Sequence, residues 1–124
     1  MARLIQRGEG KRLGLPGRAV LEMVSGEINS ALTFRVVELP VQKPGETLRG
    51  PHLHHGYEEC IYVLKGEGRT LSASGELSIE PGDVVLVPPE EKHVTRNTGS
   101  EPLVLLCFFP TPDIVASTEN FPEF

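Results

Sequence analysis

The sequence predicts an all-β protein, a β-sandwich or β-barrel, and three observations carry that prediction. Short runs rich in β-branched, aromatic and other apolar residues recur along the chain. Turns that contain Gly, Pro, Ser or Asp separate these runs at short intervals. No window keeps an apolar period of about 3.6 residues over the length that an amphipathic helix requires. Many short strands joined by tight turns are typical of sandwiches and barrels.

In the first part of the chain the pattern predicts two strands. Residues 1–17 are rich in Gly, Arg and Lys and are expected to form an irregular arm. Strands are predicted at 19–24 and 31–39, where apolar and β-branched side chains dominate. Residues 40–51 hold three prolines and two glycines, so this stretch is expected to be a loop.

The second part of the chain predicts a series of short strands. They are expected at 60–64, 69–73, 76–79, 84–87, 93–97 and 103–109. The sequence KGEG at 65–68 is a tight reversal suited to a hairpin between the first two of these strands. In the tail at 110–124, residues 113–117 are expected to form one helical turn with Asp113 as its cap. The apolar residues of this tail need a surface to cover them, either their own barrel or a partner subunit.

Length and composition narrow the class of protein. The 124 residues show no internal repeat and are expected to form one domain, 1–124, with a single core. The net charge of -5 and the lack of a basic stripe argue against binding to nucleic acid. No run approaches the length of a membrane span and no signal-peptide pattern is visible, so we expect a soluble, cytoplasmic protein without a membrane partner. Cys60 and Cys107 lie in apolar runs and are expected to be reduced.

The stretch PHLHHGYEECIYVLKG concentrates side chains that bind metals. His52 and His54 are two residues apart, so on an extended strand both imidazoles leave the same face. His55 points to the opposite side of such a strand and is expected to lie behind the site or in solvent. A carboxylate follows a few residues later, from Glu58 or Glu59. Two imidazoles and a nearby carboxylate make a partial transition-metal site.

A second stretch supplies one more imidazole. Residues 81–97, PGDVVLVPPEEKHVTRN, comprise a turn, an apolar strand, a second turn and then His93. Three imidazoles and one carboxylate suit iron, manganese, nickel, copper or zinc better than magnesium or calcium. The sequence therefore predicts a site for one divalent transition metal.

The spacing of these residues resembles the two sequence motifs of the cupins. The first motif of that family is a glycine, five residues, His-x-His, three or four residues, a glutamate, six residues and a glycine. This chain has Gly45, six residues, His52, Leu53, His54, four residues, Glu59, six residues and Gly66. The second motif is a glycine, five residues, Pro-x-Gly, two residues, a histidine, three residues and an asparagine. Here it runs Gly82, five residues, Pro88, Pro89, Glu90, two residues, His93, three residues and Asn97.

The resemblance implies a jelly-roll barrel, the double-stranded β-helix of the cupins, around one metal ion. The implied ligands are His52, His54, Glu59 and His93. The spacing to Gly66 selects Glu59 over Glu58, which is left as a solvated charge. In such a barrel we expect the two paired histidines and the glutamate to come from one hairpin, and the last histidine from an opposite strand. The extra residue after Gly45 and the replacement of a glycine by Glu90 both lie in turns.

Family resemblance further implies a choice of reactions. Four protein ligands leave one or two open positions on a metal that prefers five or six, as a catalytic site requires. An open site in an apolar barrel fits a dioxygenase that acts on an enol or aromatic substrate, with Glu59 as its catalytic carboxylate. The alternatives are a metal-assisted isomerase or lyase of the sugar-acid type and a non-catalytic ligand-binding cupin. Basic residues cluster in the arm and in loops, and tryptophan is absent, which favours the dioxygenase.

The same segments suggest contacts with a small-molecule substrate and with a second subunit. The candidates for substrate contact are Arg49, Tyr62, Asn97 and Phe109. On the other face of the strand that carries Glu59, Cys60, Tyr62 and Leu64 alternate with the ligand side. Large exposed apolar faces tend to mark interfaces, so we expect a two-fold homodimer.

Overall fold

The computed structural model describes all 124 residues and arranges eleven strands in two antiparallel sheets. The strands are β1 (Lys11–Leu13), β2 (Ala19–Val24), β3 (Thr33–Leu39), β4 (His52–His54), β5 (Glu59–Lys65), β6 (Gly68–Ser72), β7 (Gly75–Ile79), β8 (Val84–Val87), β9 (His93–Asn97), β10 (Leu103–Phe109) and β11 (Thr118–Asn120). Two short 3-10 turns, Arg7–Glu9 and Gly26–Ile28, complete the regular structure. Neither of them is long or apolar enough to cross a membrane.

The two sheets face each other and form the jelly-roll barrel. One sheet has six strands in the order β1-β2-β3-β10-β5-β8, and the other has five in the order β11-β4-β9-β6-β7. Along β10 every second residue is buried, beginning with Leu103 and ending with Phe109, because successive side chains of a strand point to opposite faces. The same alternation buries Ile61 and Val63 on β5. The prediction of an all-β jelly-roll fold is confirmed.

The hydrophobic core fills most of the space between the sheets. Thirteen buried residues form one cluster, most of them from strands of the six-stranded sheet. Val63 and Leu103 have no exposed surface at all. The cluster also contains Phe109 and Ile114, which border the site described below.

The turn at 65–68 does not close the predicted hairpin. β5 pairs with β10 and β8 in one sheet, whereas β6 pairs with β7 and β9 in the other. The four residues therefore carry the chain from one sheet to the next. Gly66 makes this corner possible, since its φ is +88° and a Cβ there would lie 2.6 Å from the carbonyl oxygen of Pro102.

Both ends of the chain are more ordered than the sequence predicts. In the expected irregular arm, β1 pairs with β2, with Leu13 opposite Val20. The strand is short and mostly polar, so it carries no clear strand pattern. In the tail, the predicted helical turn does not form: the Asp113 side chain instead accepts a hydrogen bond from the Val115 amide. Ile114 is buried against the chain's own barrel, and β11 then pairs with β4.

Candidate metal centre

Three strands bring together the side chains that the two motifs contain. β4 carries His52 and His54, and β9 carries His93 directly opposite His52 in the register. β5 carries Glu59 on the facing sheet. The three histidines therefore share the five-stranded sheet and the glutamate reaches them from the other sheet, which corrects the expectation of a single hairpin with an opposite His93. The reason is that 55–58 crosses between the sheets instead of returning within one.

The four side chains form a compact cluster. One ligand atom from each lies within 4.8 Å of the others. The Oε1 atom of Glu59 is 3.0 Å from Nε2 of His93 and 3.2 Å from Nε2 of His54. His54, Glu59 and His93 are buried, and His52 is partly exposed. Donor atoms bound to one ion at about 2.0–2.2 Å must be this close together.

A hydrogen bond from the tail determines which nitrogen of His54 faces the cluster. The hydroxyl of Thr118 donates to the carbonyl oxygen of Ile114, so it accepts from Nδ1 of His54, 2.9 Å away. The proton of a neutral His54 is thereby held at Nδ1, and the lone pair of Nε2 points towards Glu59. This Nε2 atom is buried and makes no hydrogen bond. An unpartnered buried nitrogen beside a carboxylate fits a cation between them.

His93 is held in a similar way. Its Nδ1 donates to the backbone carbonyl of Glu91 at 2.9 Å, which leaves Nε2 facing Glu59. Burial lowers the pKa of His93, but the hydrogen bond and charge of Glu59 outweigh it and raise the pKa. Burial alone would raise the pKa of Glu59, whereas the two histidines lower it. Positive charge is thus stabilised at the centre of the cluster, where a divalent ion can take the place of a proton.

His52 completes the donor set as a neutral imidazole. Burial is the main cause that lowers the pKa of His52 to about 2, and the positive charge of His93 adds to it. Its ring centroid lies 4.3 Å from that of His93. An imidazole that stays unprotonated near neutral pH is the form that binds a metal. The donor types and their arrangement therefore fit a transition-metal ion.

The cluster borders a cavity of about 640 Å³ inside the barrel. Its walls are mainly apolar and come from both sheets and from the two ends of the chain. The apolar residues that line it include Leu13, Leu15, Val20, Val37, Ile61, Leu105, Phe109 and Ile114. Glu59 is the one carboxylate in its lining. A cavity of this size accommodates a small organic molecule next to the cluster.

Four arginines also line the cavity, and only Arg49 was among the substrate contacts that the sequence predicts. They are Arg12, Arg18, Arg35 and Arg49. Most of them lie in the arm and in loops, as expected, but the inference that such residues are absent from the cavity is wrong, because β1, β3 and the segments before β2 and β4 meet at its mouth. One signal was present in the sequence: in 33–39 strand alternation places Arg35 on the same inward face as Val37.

Residues 40–109 match the family model described as a cupin domain, which is more than half of the chain. The chain belongs to the cupin family.

Relatives of this cupin have more than one activity. A glucose-6-phosphate isomerase of Thermococcus gammatolerans is 46% identical over 57 residues, which cover 42% of this chain and 30% of the isomerase. An oxalate-binding protein of Thermotoga maritima is 36% identical over 78 residues, covering 63% of this chain and 61% of that protein. The chain spans about a third of the length of the isomerases that it matches.

Solved structures support the fold. The oxalate decarboxylase of Lactobacillus farciminis, in a formate complex, superposes with a TM-score of 0.75 over 92% of this chain and 34% of that enzyme. A Bacillus subtilis oxalate decarboxylase also gives 0.75, over 93% of this chain and 31% of that one. Both are 22% identical to this cupin, and such a likeness concerns the fold alone.

The predicted substrate contacts divide into two groups. Arg49 and Phe109 line the cavity. Tyr62 lies on the outer face of the six-stranded sheet, because it alternates with the inward Ile61, and it is 37% exposed. Asn97 is buried away from the cavity: its amide donates to the carbonyl oxygens of Leu39 and Glu101 and stabilises a turn. The prediction of substrate contact therefore does not hold for Tyr62 or Asn97.

The residues beside the ligands have structural partners. Glu58 is exposed, as expected for a solvated charge. Glu90, which stands where the motif has a glycine, adopts the left-handed conformation that glycine takes most easily, with φ at 64°. Its carboxylate accepts a hydrogen bond from the Gly56 amide at 2.9 Å and contacts the exposed His55. This link between the two turns offsets the strain of a left-handed glutamate and leaves the ligands in place.

Proposed function

We propose that this cupin is a metal-dependent enzyme that binds a small molecule in its barrel and activates an oxygen atom of that substrate. The observation that carries the proposal is the buried Nε2 of His54, which has no hydrogen-bond partner and faces Glu59 and the cavity. A donor set that converges on the wall of a cavity, instead of in a closed core, is typical of a catalytic metal site.

The chain's own residues have distinct tasks in this proposal. His52, His54, Glu59 and His93 hold one ion of iron, manganese, nickel, copper or zinc. When bound, such an ion supplies Lewis-acid or redox chemistry at one or two open positions. Thr118 and the carbonyl of Glu91 fix the two histidine tautomers, and apolar walls such as Phe109 exclude water. Glu59 is the candidate catalytic residue, because it is the one carboxylate at the site.

The reaction that we favour is a proton transfer or bond cleavage on an oxygen-bearing substrate, as in an isomerase or lyase. The preference for a dioxygenase rested partly on a cavity without basic residues, and four arginines line this cavity. Relatives named as glucose-6-phosphate isomerase and oxalate-binding protein also support chemistry on small oxygen-rich molecules. A dioxygenase acting on an enol or aromatic substrate remains the second candidate, favoured by the apolar walls beside the ligands.

The test distinguishes these functions by which metal supports turnover and by whether turnover needs dioxygen. Protein purified without an affinity-resin metal is analysed for bound metal, loaded with zinc or iron, and assayed in air and under nitrogen. The substrate panel contains hydroxy acids, sugar phosphates, enols and catechols. Turnover of an acid or sugar phosphate with zinc under nitrogen is the expected result. Turnover that needs dioxygen and iron assigns the dioxygenase, and bound metal without any turnover leaves a ligand-binding cupin.

A matched pair of variants links turnover to the site. Glu59→Gln removes the buried carboxylate of the cluster and should abolish both metal retention and turnover. Glu58→Gln changes the exposed neighbour and should leave both intact. Equal loss in the two variants would contradict the role of Glu59.

We further propose that the cupin forms a homodimer through the outer face of its six-stranded sheet. Tyr62, Val84, Leu86 and Phe108 are exposed on neighbouring strands of this face. Phe108 also stacks on Phe34 of β3, with ring centroids 4.7 Å apart, so the apolar surface extends across four neighbouring strands. The cytoplasm is the compartment that we propose, since both cysteines are free thiols.

A further inference from the structure

We propose that Arg18 and Arg49 form a subsite that binds an anionic oxygen group, a carboxylate or a phosphate, at the cavity that holds the metal ligands. The proposal deepens the proposed function, since it names the chemical class of the substrate: a small acid whose charged end is held by the two arginines while another oxygen faces the metal ligands. Binding of an anion to the pair does not itself require a metal.

The two side chains come from segments that are far apart in sequence. Arg18 precedes β2, and Arg49 precedes β4 in the opposite sheet, and both line the cavity. A Cβ placed on Gly17, the neighbour of Arg18, would lie 3.9 Å from Cδ of Arg49. The mouth of the barrel therefore brings the two segments together, on the same cavity that Glu59 and His52 line.

Neither guanidinium has an acidic partner in the chain. The ion pairs made by arginines are Arg35 with Glu22, at 2.8 Å, and Arg69 with Glu76, at 3.3 Å. Arg18 makes one hydrogen bond, to the carbonyl oxygen of Pro16, and Arg49 makes none. Arg35 differs from Arg18 and Arg49 in this respect, because its carboxylate partner, Glu22, lies on the adjacent strand β2.

Burial makes this arrangement unfavourable unless an anion is present. Burial is the largest cause that lowers the pKa of Arg49 to about 10, and the charge of Arg18 is the next. Burial also lowers the pKa of Arg18. Both groups nevertheless remain charged near neutral pH, so two like charges are partly removed from water with no carboxylate in direct contact. The negative charge of Glu59 acts on both from a greater distance and offsets this only in part. A carboxylate or phosphate would accept hydrogen bonds from both guanidinium groups and neutralise them.

The same arrangement disfavours a neutral substrate. A neutral enol or aromatic molecule that filled the cavity would take water away from both arginines and supply no charge in return. The apolar walls then contact the carbon skeleton between the charged end and the metal-facing oxygen. The cavity lining thus favours a compact acid over an uncharged ring.

The test measures anion binding to the full-length, metal-free protein by calorimetry. The probes are inorganic phosphate and malonate at constant ionic strength, with chloride as the reference salt. Wild type is expected to bind at least one of the two probes, and Arg18→Gln or Arg49→Gln to weaken that binding about tenfold or more. The matched control is Arg69→Gln, an exposed arginine on strand β6 of the five-stranded sheet that does not line the cavity. This variant should bind the probes as wild type does. Binding of phosphate alone assigns a phosphate ester, and binding of malonate alone assigns a carboxylic acid.

A stability measurement keeps the test independent of folding defects. If the two arginines repel each other in the absence of an anion, Arg18→Gln and Arg49→Gln should unfold at a higher temperature than wild type. Added probe should raise the unfolding temperature of wild type more than that of either variant. No binding by wild type, or equal binding by wild type and both variants, would overturn the proposal. Anion binding that depends on the pair, in a protein without metal-dependent turnover, would retain the subsite and refute the enzyme.

Discussion

At the scale of single residues, the candidate metal site depends on side chains and carbonyls that are not themselves candidate ligands. Thr118 and the carbonyl of Glu91 each accept the Nδ1 proton of a histidine, so that both Nε2 atoms face Glu59. Such partners orient a ligand before the ion arrives, and their loss typically costs about 10–100-fold in metal affinity.

The first prediction concerns Thr118. Thr118→Val removes the acceptor that holds the His54 proton at Nδ1, while it keeps nearly the same shape. We expect the affinity for zinc to fall by about 10–100-fold, measured by competition with a chromophoric chelator. Thr118→Ser keeps the hydroxyl and should stay close to wild type. Unchanged affinity in the valine variant would show that packing alone orients His54.

The second prediction concerns the two thiols. Burial, followed by the negative charge of Glu59, raises the pKa of Cys107 well above its ordinary value. A raised thiol pKa means a smaller thiolate fraction at any given pH, and the thiolate is the reactive form. In metal-free protein at about pH 8, near the ordinary thiol pKa, iodoacetamide should therefore modify the half-buried Cys60 first, as read by mass spectrometry. The variant Cys60→Ser should remain largely unmodified, and rapid labelling of Cys107 would contradict this view.

At the scale of elements, the barrel depends on corners where the chain changes sheets. Gly66 turns the chain from β5 to β6 with a positive φ, and it packs against the backbone of Pro102 and Leu103. Gly45 has a φ of +77° in the loop before β4 but has open space around it. The two glycines of the first motif therefore serve different physical needs.

The third prediction compares the stability lost when each of these two glycines is replaced by alanine. Gly45→Ala should cost about 1–2 kcal/mol, the strain of a left-handed alanine. Gly66→Ala adds a backbone clash to that strain and should cost a further ~1–3 kcal/mol, or prevent folding. Urea unfolding followed by circular dichroism measures both. Equal losses would mean that the corner at Gly66 shifts to make room.

At the scale of the whole molecule, the two sheets expose different surfaces. The inner face of the six-stranded sheet forms the core, while its outer face leaves Val84 and Leu86 more than half exposed. An apolar patch that runs over several strands is unusual on a monomer and fits contact with a second copy.

The fourth prediction tests that contact. Wild type should elute with twice the mass of one chain in size-exclusion chromatography with light scattering. Leu86→Glu places a charge in the patch and should give monomers. Leu77→Glu introduces the same charge at a leucine of similar exposure on the five-stranded sheet, and should leave the dimer intact. A monomeric wild type at micromolar concentration would exclude the dimer.

Local pattern was enough to predict much of the fold. The strands at 84–87, 93–97 and 103–109 have the predicted bounds, because each is a short run of β-forming residues between turn signals. The four candidate ligands were also visible in sequence, since the strand period places His52 and His54 on one face and the motif spacing selects Glu59 and His93. Strand bounds and ligand spacing can be predicted because both depend on residues that are close together in the sequence.

Only the tertiary structure decided which distant segments meet. Strand β11 forms because β4 offers it an unpaired edge, and its Thr118 reaches His54 across 64 positions of sequence. The sequence offers Arg49 as a candidate for substrate contact but gives no sign that Arg18 lies near it, and the closing of the two sheets places both on the cavity. Periodicity reports the face on which a side chain lies, whereas the partner across that face depends on sheet order and register. The candidate ligands therefore followed from the sequence, and the surroundings that would select a substrate followed from the fold.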